Sequence, residues 1–261
     1  MRKVRFKSEG TVYTGVVRGD TYHADGERFD PETVTILPPS QPSKVLAAGM
    51  NYREHVENII GEEFPKPEFP TLFPKLPSSI VAHEEPIVKH DSVNLLDYEG
   101  EVAVIIGAEC SDVSSDEALQ YVEGYTAFND VSSRDWISRE HFVSRGKSID
   151  SFGPMGPYIQ TEFDGPIHVE TRVNGEVRQD SDTSDLLFDI PTLVAEASDF
   201  FTLHPGDVIA TGTPPGTAGE DIEHDEWDGG STELALDAGD VVEVTVGDAG
   251  TIRNRVIGPT G

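Results

Sequence analysis

The chain has 261 residues and 36% hydrophobic content, enough for one large domain or a domain with a small appendage, which excludes mini-protein, collagen-like and disordered readings. Lys+Arg 19 against Asp+Glu 48 gives a formal net charge of −29, which repels nucleic acid and anionic lipid and argues against a DNA-binding or membrane-surface role. Self-repulsion of that size is best screened by salt, so a halophilic origin is the expectation.

In chain order, the first 37 or so residues alternate in short stretches such as Lys3-Val4-Arg5-Phe6, punctuated by Gly10, Gly19 and Gly26, and predict a small β-meander. The stiff stretch from Pro38 to Ser43 predicts a linker, giving an N-terminal unit of residues 1–43 and a main domain of 44–261. Val45 to Gly49 reads as a buried strand. Asn51 with Glu54 has the spacing of a capping pair opening a helix through Ile60. Prolines at 65, 67, 70, 74 and 77 predict an irregular loop between Gly61 and Ser79. Tyr98 to Ile106 reads as a core strand buried on both faces. Ser114 with Glu117 predicts a helix through Val122, and Gly124 to Phe128 a strand ending at Asn129-Asp130. Asn174-Gly175 between two apolar runs predicts a hairpin. Asp189 and Pro191 open a helix whose apolar face comprises Ile190, Leu193, Val194, Ala197, Phe200 and Phe201, with a stop at His204-Pro205-Gly206. Asp207 to Thr211 and Val241 to Val246 read as late strands, separated by an acidic, glycine-rich loop from Pro214 to Thr232. The single cysteine, Cys110, forms no internal disulfide and has no basic activator nearby. With no apolar leader and no long apolar run, a soluble cytoplasmic protein is expected.

Chemistry enters first at Glu99 and Glu101. Two carboxylates leading into an apolar strand need a cation or dense hydrogen bonding to offset desolvation, and a hard divalent ion, Mg²⁺ or Mn²⁺, supplies it. Asp130, at the end of another expected strand, is a candidate third carboxylate; solvated strand-edge acids are the plain alternative. Arg134, Arg139, Arg145 and Lys147 cluster in a base-poor chain, either as a patch for substrate carboxylates or as a helix pairing with surrounding acids. His55, just before the proline-rich loop, is a candidate general base, although a lone histidine is more often structural. Thr211 to Gly216 lacks a Gly-Lys-Ser/Thr sequence, leaving a tight turn able to present amides or the Thr213 hydroxyl to a small anion.

Six ordered blocks then stand out: Gly49 to His55; Lys75 with Pro77-Ser78-Ser79; Asp97-Tyr98-Glu99-Gly100-Glu101; Asn129 to Asp135; Gly146-Lys147-Ser148 with Asp150 to Pro154; and Thr211 to Pro214. Together they resemble the fumarylacetoacetate hydrolase family across residues 44–261. The resemblance implies an α+β, β-rich fold, a mixed β-roll catalytic domain with a small N-terminal β domain, usually as a homodimer. It implies Mg²⁺ or Mn²⁺ held by Glu99, Glu101 and Asp130, and a 2-oxo acid substrate whose carboxylate and oxo group chelate that ion. Catalytic roles fall to His55 and Lys147, and substrate contacts to Arg134, Thr213 and Tyr52. Hydrolytic members pair the helix histidine with a glutamate three residues later; here that position is Asn58, and Glu57 lies nearly across the helix. Glu62 or Glu63 is a possible substitute, and Ile137 stands where several acylpyruvases carry a substrate-binding glutamine. C–C hydrolysis of an acylpyruvate or fumarylpyruvate type of substrate is the leading expectation. The alternatives are a dienol-diacid (2-hydroxyhepta-2,4-diene-1,7-dioate) isomerase, a decarboxylase, a 2-keto-3-deoxy sugar acid dehydratase, or a non-catalytic binder or assembly protein.

Overall fold

The apolar run after Glu99 forms the strand Gly100–Ile106, buried along its whole length in the computed structural model, which describes residues 1–61, 64–140, 142–222 and 226–259. Side chains alternate across a strand, so Val102, Val104 and Ile106 join one core while Ala103 and Ile105 join another on the opposite face, with Phe128, Met155 and Val208. This strand pairs antiparallel with Val122–Asn129 on one side and with Val208–Ala210 on the other. Val208–Ala210 runs parallel to Val45–Gly49, and Thr71–Lys75 closes that edge. On the opposite flank Val122–Asn129 pairs with Gly153–Gln160, which in turn pairs with Arg2–Ser8 at Arg2↔Gln160 and Lys3↔Ile159. The expected N-terminal meander, Arg2–Ser8, Thr11–Arg18, Thr21–Ala24 and Glu27–Phe29, therefore continues the large sheet, which has 12 strands among the described residues, with its own small core of Val4, Phe6 and Tyr22.

A second sheet runs in the order Glu176–Asp182, His168–Val173, Val241–Val246, Gly250–Ile257, Ile87–Val88. Its inward residues Val169, Val244 and Ile252 share one core with Val102 and Val104. The fold is α+β and β-rich. A two-stranded ladder, Leu96–Asp97 with Ser132–Ser133, fixes Asp97 beside the segment after Asp130. No helix among the described residues is long and apolar enough to cross a membrane.

Several local expectations are corrected. Pro74 lies within a strand, Thr71–Lys75, because that strand forms the sheet edge, where a missing N–H costs no ladder bond. Asn51 does not cap the helix Arg53–Ile60; Tyr52 holds the cap position, and the Asn51 amide donates to Phe188 O at 3.0 Å and Thr211 O at 2.8 Å. The helix Ile190–Phe200 starts as expected, with the Asp189 carboxylate accepting from Thr192 N–H, but Phe200 and Phe201 are exposed, beyond the last buried turn at Ala197 and Ser198. The helix after Ser114 is a single turn, Ser115–Ala118, tightening into a 3-10 turn at Leu119–Tyr121. The strand Gly250–Ile257 escapes the apolar-alternation test because buried Asn254 interrupts it, its amide satisfied by Ala82 O and Glu85 O, each at 2.8 Å.

Candidate active site

Because Gly100 pairs with Asn129 across an antiparallel ladder, the start of one strand meets the end of the other. Glu99, Glu101 and Asp130 converge there, with ligand oxygens all within 4.8 Å of one another and all three residues buried. Glu99 lies just ahead of the strand, so the pleat alone does not aim it. Its N–H donates to Asn129 Oδ1 at 3.0 Å, and Asp130 N–H donates to Glu99 O at 2.8 Å, which fixes both backbones.

The three carboxylates are compensated unequally. Lys147 Nζ donates to Glu99 Oε2 and, at 2.8 Å, to Asp130 Oδ2; Lys75 Nζ donates to Asp130 Oδ1 at 2.6 Å; Arg134 Nη2 forms an ion pair with Glu99 Oε1. Burial opposes charge on Glu99, but Lys147 and Arg134 outweigh it and hold the carboxyl at about 2. Glu101 accepts one hydrogen bond, from Gly212 N–H at 2.9 Å, and no ion pair among the described residues involves it. Burial, then the charges of Asp130 and Glu99, push it well above the usual carboxylate range. A buried carboxylate in that state, beside two others, fits a hard divalent cation with oxygen ligands. Gly212 reaches Glu101 only as glycine: its φ is +97°, and a Cβ would lie 2.9 Å from Asn51 Cβ.

His55, on the helix Arg53–Ile60 and 4% exposed, lines the same cavity as the carboxylates. Its Nδ1 pairs with Glu220 Oε1. The partner absent at position 58 is thus supplied from a 3-10 turn, Ala218–Asp221, in the acidic loop. Asn58 takes a supporting part, donating to Glu220 Oε2 at 2.8 Å, and Gly216 N–H donates to both oxygens at 3.2 Å. Burial opposes charge on Glu220, but the hydrogen bond and charge of His55 outweigh it and lower its pKa.

Asp97 holds that turn in place. Its carboxylate accepts from Ala218 N–H and Gly219 N–H, both at 2.8 Å, and from Arg134 Nε at 2.7 Å. Arg134 also lies over the Trp227 ring, 4.9 Å from its centroid. A Cβ at Gly219 would come within 2.7 Å of Arg134 Nε, so only glycine lets the turn pack on the guanidinium. Arg134 therefore links Glu99 to the turn that carries Glu220.

The expected basic cluster divides: Arg134 and Lys147 are buried in the site, whereas Arg139 and Arg145 pair with Asp228 and Glu140 outside it. Thr213 lines the cavity, donating to Gly100 O at 3.1 Å and accepting from Gln179 Nε2 at 2.8 Å. The tight turn's amides go to protein carboxylates, Gly212 to Glu101 and Gly216 to Glu220. Tyr52 is fully buried and does not line the cavity; burial pushes its phenol up. Cys110 is buried, which raises its thiol. Glu62 and Glu63 lie outside the described residues. Lys75, unassigned from sequence, has a fully buried ammonium, and burial lowers its pKa against the opposing pull of Asp130.

The cavity lined by His55, Glu99, Glu101, Asp130, Arg134, Lys147 and Thr213 has a volume of about 590 Å³, suited to a small organic ligand. Residues 44–257 match the family model for the fumarylacetoacetate (FAA) hydrolase C-terminal domain. The chain is 38% identical over 225 residues to oxaloacetate tautomerase YisK of Bacillus subtilis, covering 84% of this chain and 71% of that protein. Its structure is similar to that of 5-carboxymethyl-2-hydroxymuconate delta-isomerase from Mycobacterium smegmatis, with 35% identity, TM-score 0.87 and 100% of both chains covered. It is also similar to maleylpyruvate hydrolase from Sphingobium sp. SYK-6, solved with manganese (II) ion and pyruvate, with 25% identity, TM-score 0.79 and 100% of both chains covered.

Proposed function

Because the chain belongs to the fumarylacetoacetate hydrolase family, we propose that it is a divalent-metal-dependent enzyme that interconverts the enol and keto forms of a 2-oxo acid. The observation that carries this reading is that His55, held by Glu220, lines the same cavity as the three carboxylates. Glu99, Glu101 and Asp130 would hold Mg²⁺ or Mn²⁺, and such an ion supplies an electrophile that stabilises negative charge on a substrate oxygen.

The chain's own residues do the rest. With Nδ1 committed to Glu220, His55 is left with Nε2 to exchange a proton with carbon 3 of the substrate. Glu220 fixes the ring's orientation and stabilises the imidazolium when the proton is taken up. Lys147 places its ammonium beside Glu99 and Asp130, within reach of a carboxylate or oxo group bound there. Isomerisation asks least of this site, since the proton lost at the enol oxygen balances the one delivered to carbon 3 and no water is consumed. The activities in the names of the Bacillus and M. smegmatis relatives, tautomerase and isomerase, support it.

C–C hydrolysis of an acylpyruvate is the second reading, favoured because Glu220 supplies the histidine partner needed to activate water, and because the Sphingobium relative is named a hydrolase. The non-catalytic reading is motivated by Asn58 in the dyad position, and the pairing of His55 with Glu220 weighs against it. With Mg²⁺ present, loss of enol absorbance without pyruvate release supports isomerisation. Pyruvate release from an acylpyruvate supports hydrolysis. Absence of both, with oxalate still bound, would overturn both enzymatic readings.

A further inference from the structure

One buried amide spans the gap between the second sheet and the site. Gln179, in the strand Glu176–Asp182, is 1% exposed and does not line the cavity. Its Oε1 accepts from Gly100 N–H at 2.9 Å, at the residue between Glu99 and Glu101. A backbone N–H can only donate, so this partner assigns the orientation of the amide. Nε2 then donates to Thr213 Oγ1 at 2.8 Å and to Pro214 O at 2.7 Å. The approach requires glycine at position 100, because a Cβ there would overlap Oγ1 of Thr171, the residue paired with Gln179 across the ladder.

The two segments that Gln179 holds do not depend on it equally. The ladder Gly100↔Asn129 and the bond from Asp130 N–H to Glu99 O already fix the backbone of the carboxylates. The turn after Thr211 belongs to no strand among the described residues, and Gln179 bonds two of its residues in succession. The same contact constrains the Thr213 hydroxyl. Because Oγ1 accepts from Gln179, its one proton goes to Gly100 O, at 3.1 Å, or to an acceptor in the cavity that Thr213 lines. Resting on the reading above, we propose that Gln179 is a positioning residue: from outside the cavity it sets the Thr213 turn against the metal carboxylates and aims the hydroxyl proton at a substrate oxygen.

Oxalate, an unreactive chelating anion, tests this without turnover. Calorimetric titration into the Mn²⁺-loaded protein compares the unmodified chain, Gln179→Met, Thr213→Val and the double variant. Each single change should weaken oxalate binding by about tenfold, and the double variant should bind no more weakly than the worse single one. Mn²⁺ affinity, read by electron paramagnetic resonance, should change by less than about threefold, since the ladder holds the carboxylates. Unchanged oxalate affinity in either single variant overturns the inference, whatever the loss of melting temperature, as do losses that multiply in the double variant. A fall in Mn²⁺ affinity as large as that for oxalate overturns it too, by assigning Gln179 to the metal ligands alone. These outcomes leave the 2-oxo acid reading standing, whereas failure of the unmodified chain to bind oxalate overturns both. Should Gln179→Met not fold, the side-chain amide signal of Gln179 in the ¹⁵N-labelled, Mg²⁺-loaded protein gives a second measurement. It should shift on addition of oxalate, as the Thr213 proton leaves Gly100 O; an unmoved signal overturns the inference.

Discussion

The two halves of the site are built on different principles. The carboxylate half sits on adjoining strands of the central sheet, where the ladder Gly100↔Asn129 fixes Glu99, Glu101 and Asp130 within a few residues of paired backbone. The histidine half joins an eight-residue helix to a 3-10 turn 165 positions away, and neither element belongs to a sheet. A ladder is replaced there by the Asp97 carboxylate, gripping two amides of the turn and the Arg134 guanidinium. The rigid half is suited to hold charge, the jointed half to move a proton. Arg134 links them.

Variants should separate the halves by size of effect. Glu101→Gln removes the carboxylate without an ion-pair partner and should weaken Mn²⁺ binding and activity together by more than about 100-fold, the range that already attaches to outer-sphere partners of metal ligands. Retained affinity in a Mn²⁺ titration would place the ion elsewhere. Glu220→Gln should lower kcat by about 100-fold, the lower end for loss of acid–base function, with Mn²⁺ affinity close to that of the unmodified chain. Asp97→Asn should lower kcat by about 10-fold or more by loosening the turn, again with a smaller effect on metal affinity. If metal affinity fell in parallel, Asp97 would belong to the rigid half. Asn58→Ala removes one neutral donor from Glu220 and should cost about tenfold or less.

The smallest effect concerns pH. Glu220 has a lowered pKa in the folded chain, so its pairing with His55 adds stability above the ordinary glutamate range, and that contribution is lost as pH falls through the folded value. The melting-temperature gap between the unmodified chain and Glu220→Gln should therefore be widest near neutrality and close below pH about 4. A gap that widens on acidification would contradict the assignment of charge to Glu220.

Legibility in the sequence divides along the same line. Glu99 and Glu101 declare themselves by preceding an apolar run, and Asp130 by ending a strand, because burial of charge beside hydrocarbon is a local pattern. Glu220 does not: it is one acid among many in the stretch from Pro214 to Thr232, and only the fold brings it to His55. Asn58, which in the sequence reads as a departure that weakens the dyad, proves to be a donor to that glutamate. Lys75 is hidden in the same way, since the edge strand carrying it contains Pro74 and reads as a loop. Asn51, spaced as a helix cap, is drawn instead to the backbone of Phe188 and Thr211, a tertiary partner outcompeting a local one.

The most direct test is exchange of the carbon 3 protons of 2-oxobutanoate for deuterium in D₂O with Mg²⁺, monitored by proton NMR. Metal-dependent loss of that signal with the unmodified chain, slowed about 100-fold in Glu220→Gln, is the expected result. No exchange with the unmodified chain, or exchange at the same rate without the Glu220 carboxylate, would contradict a proton-moving pair at His55.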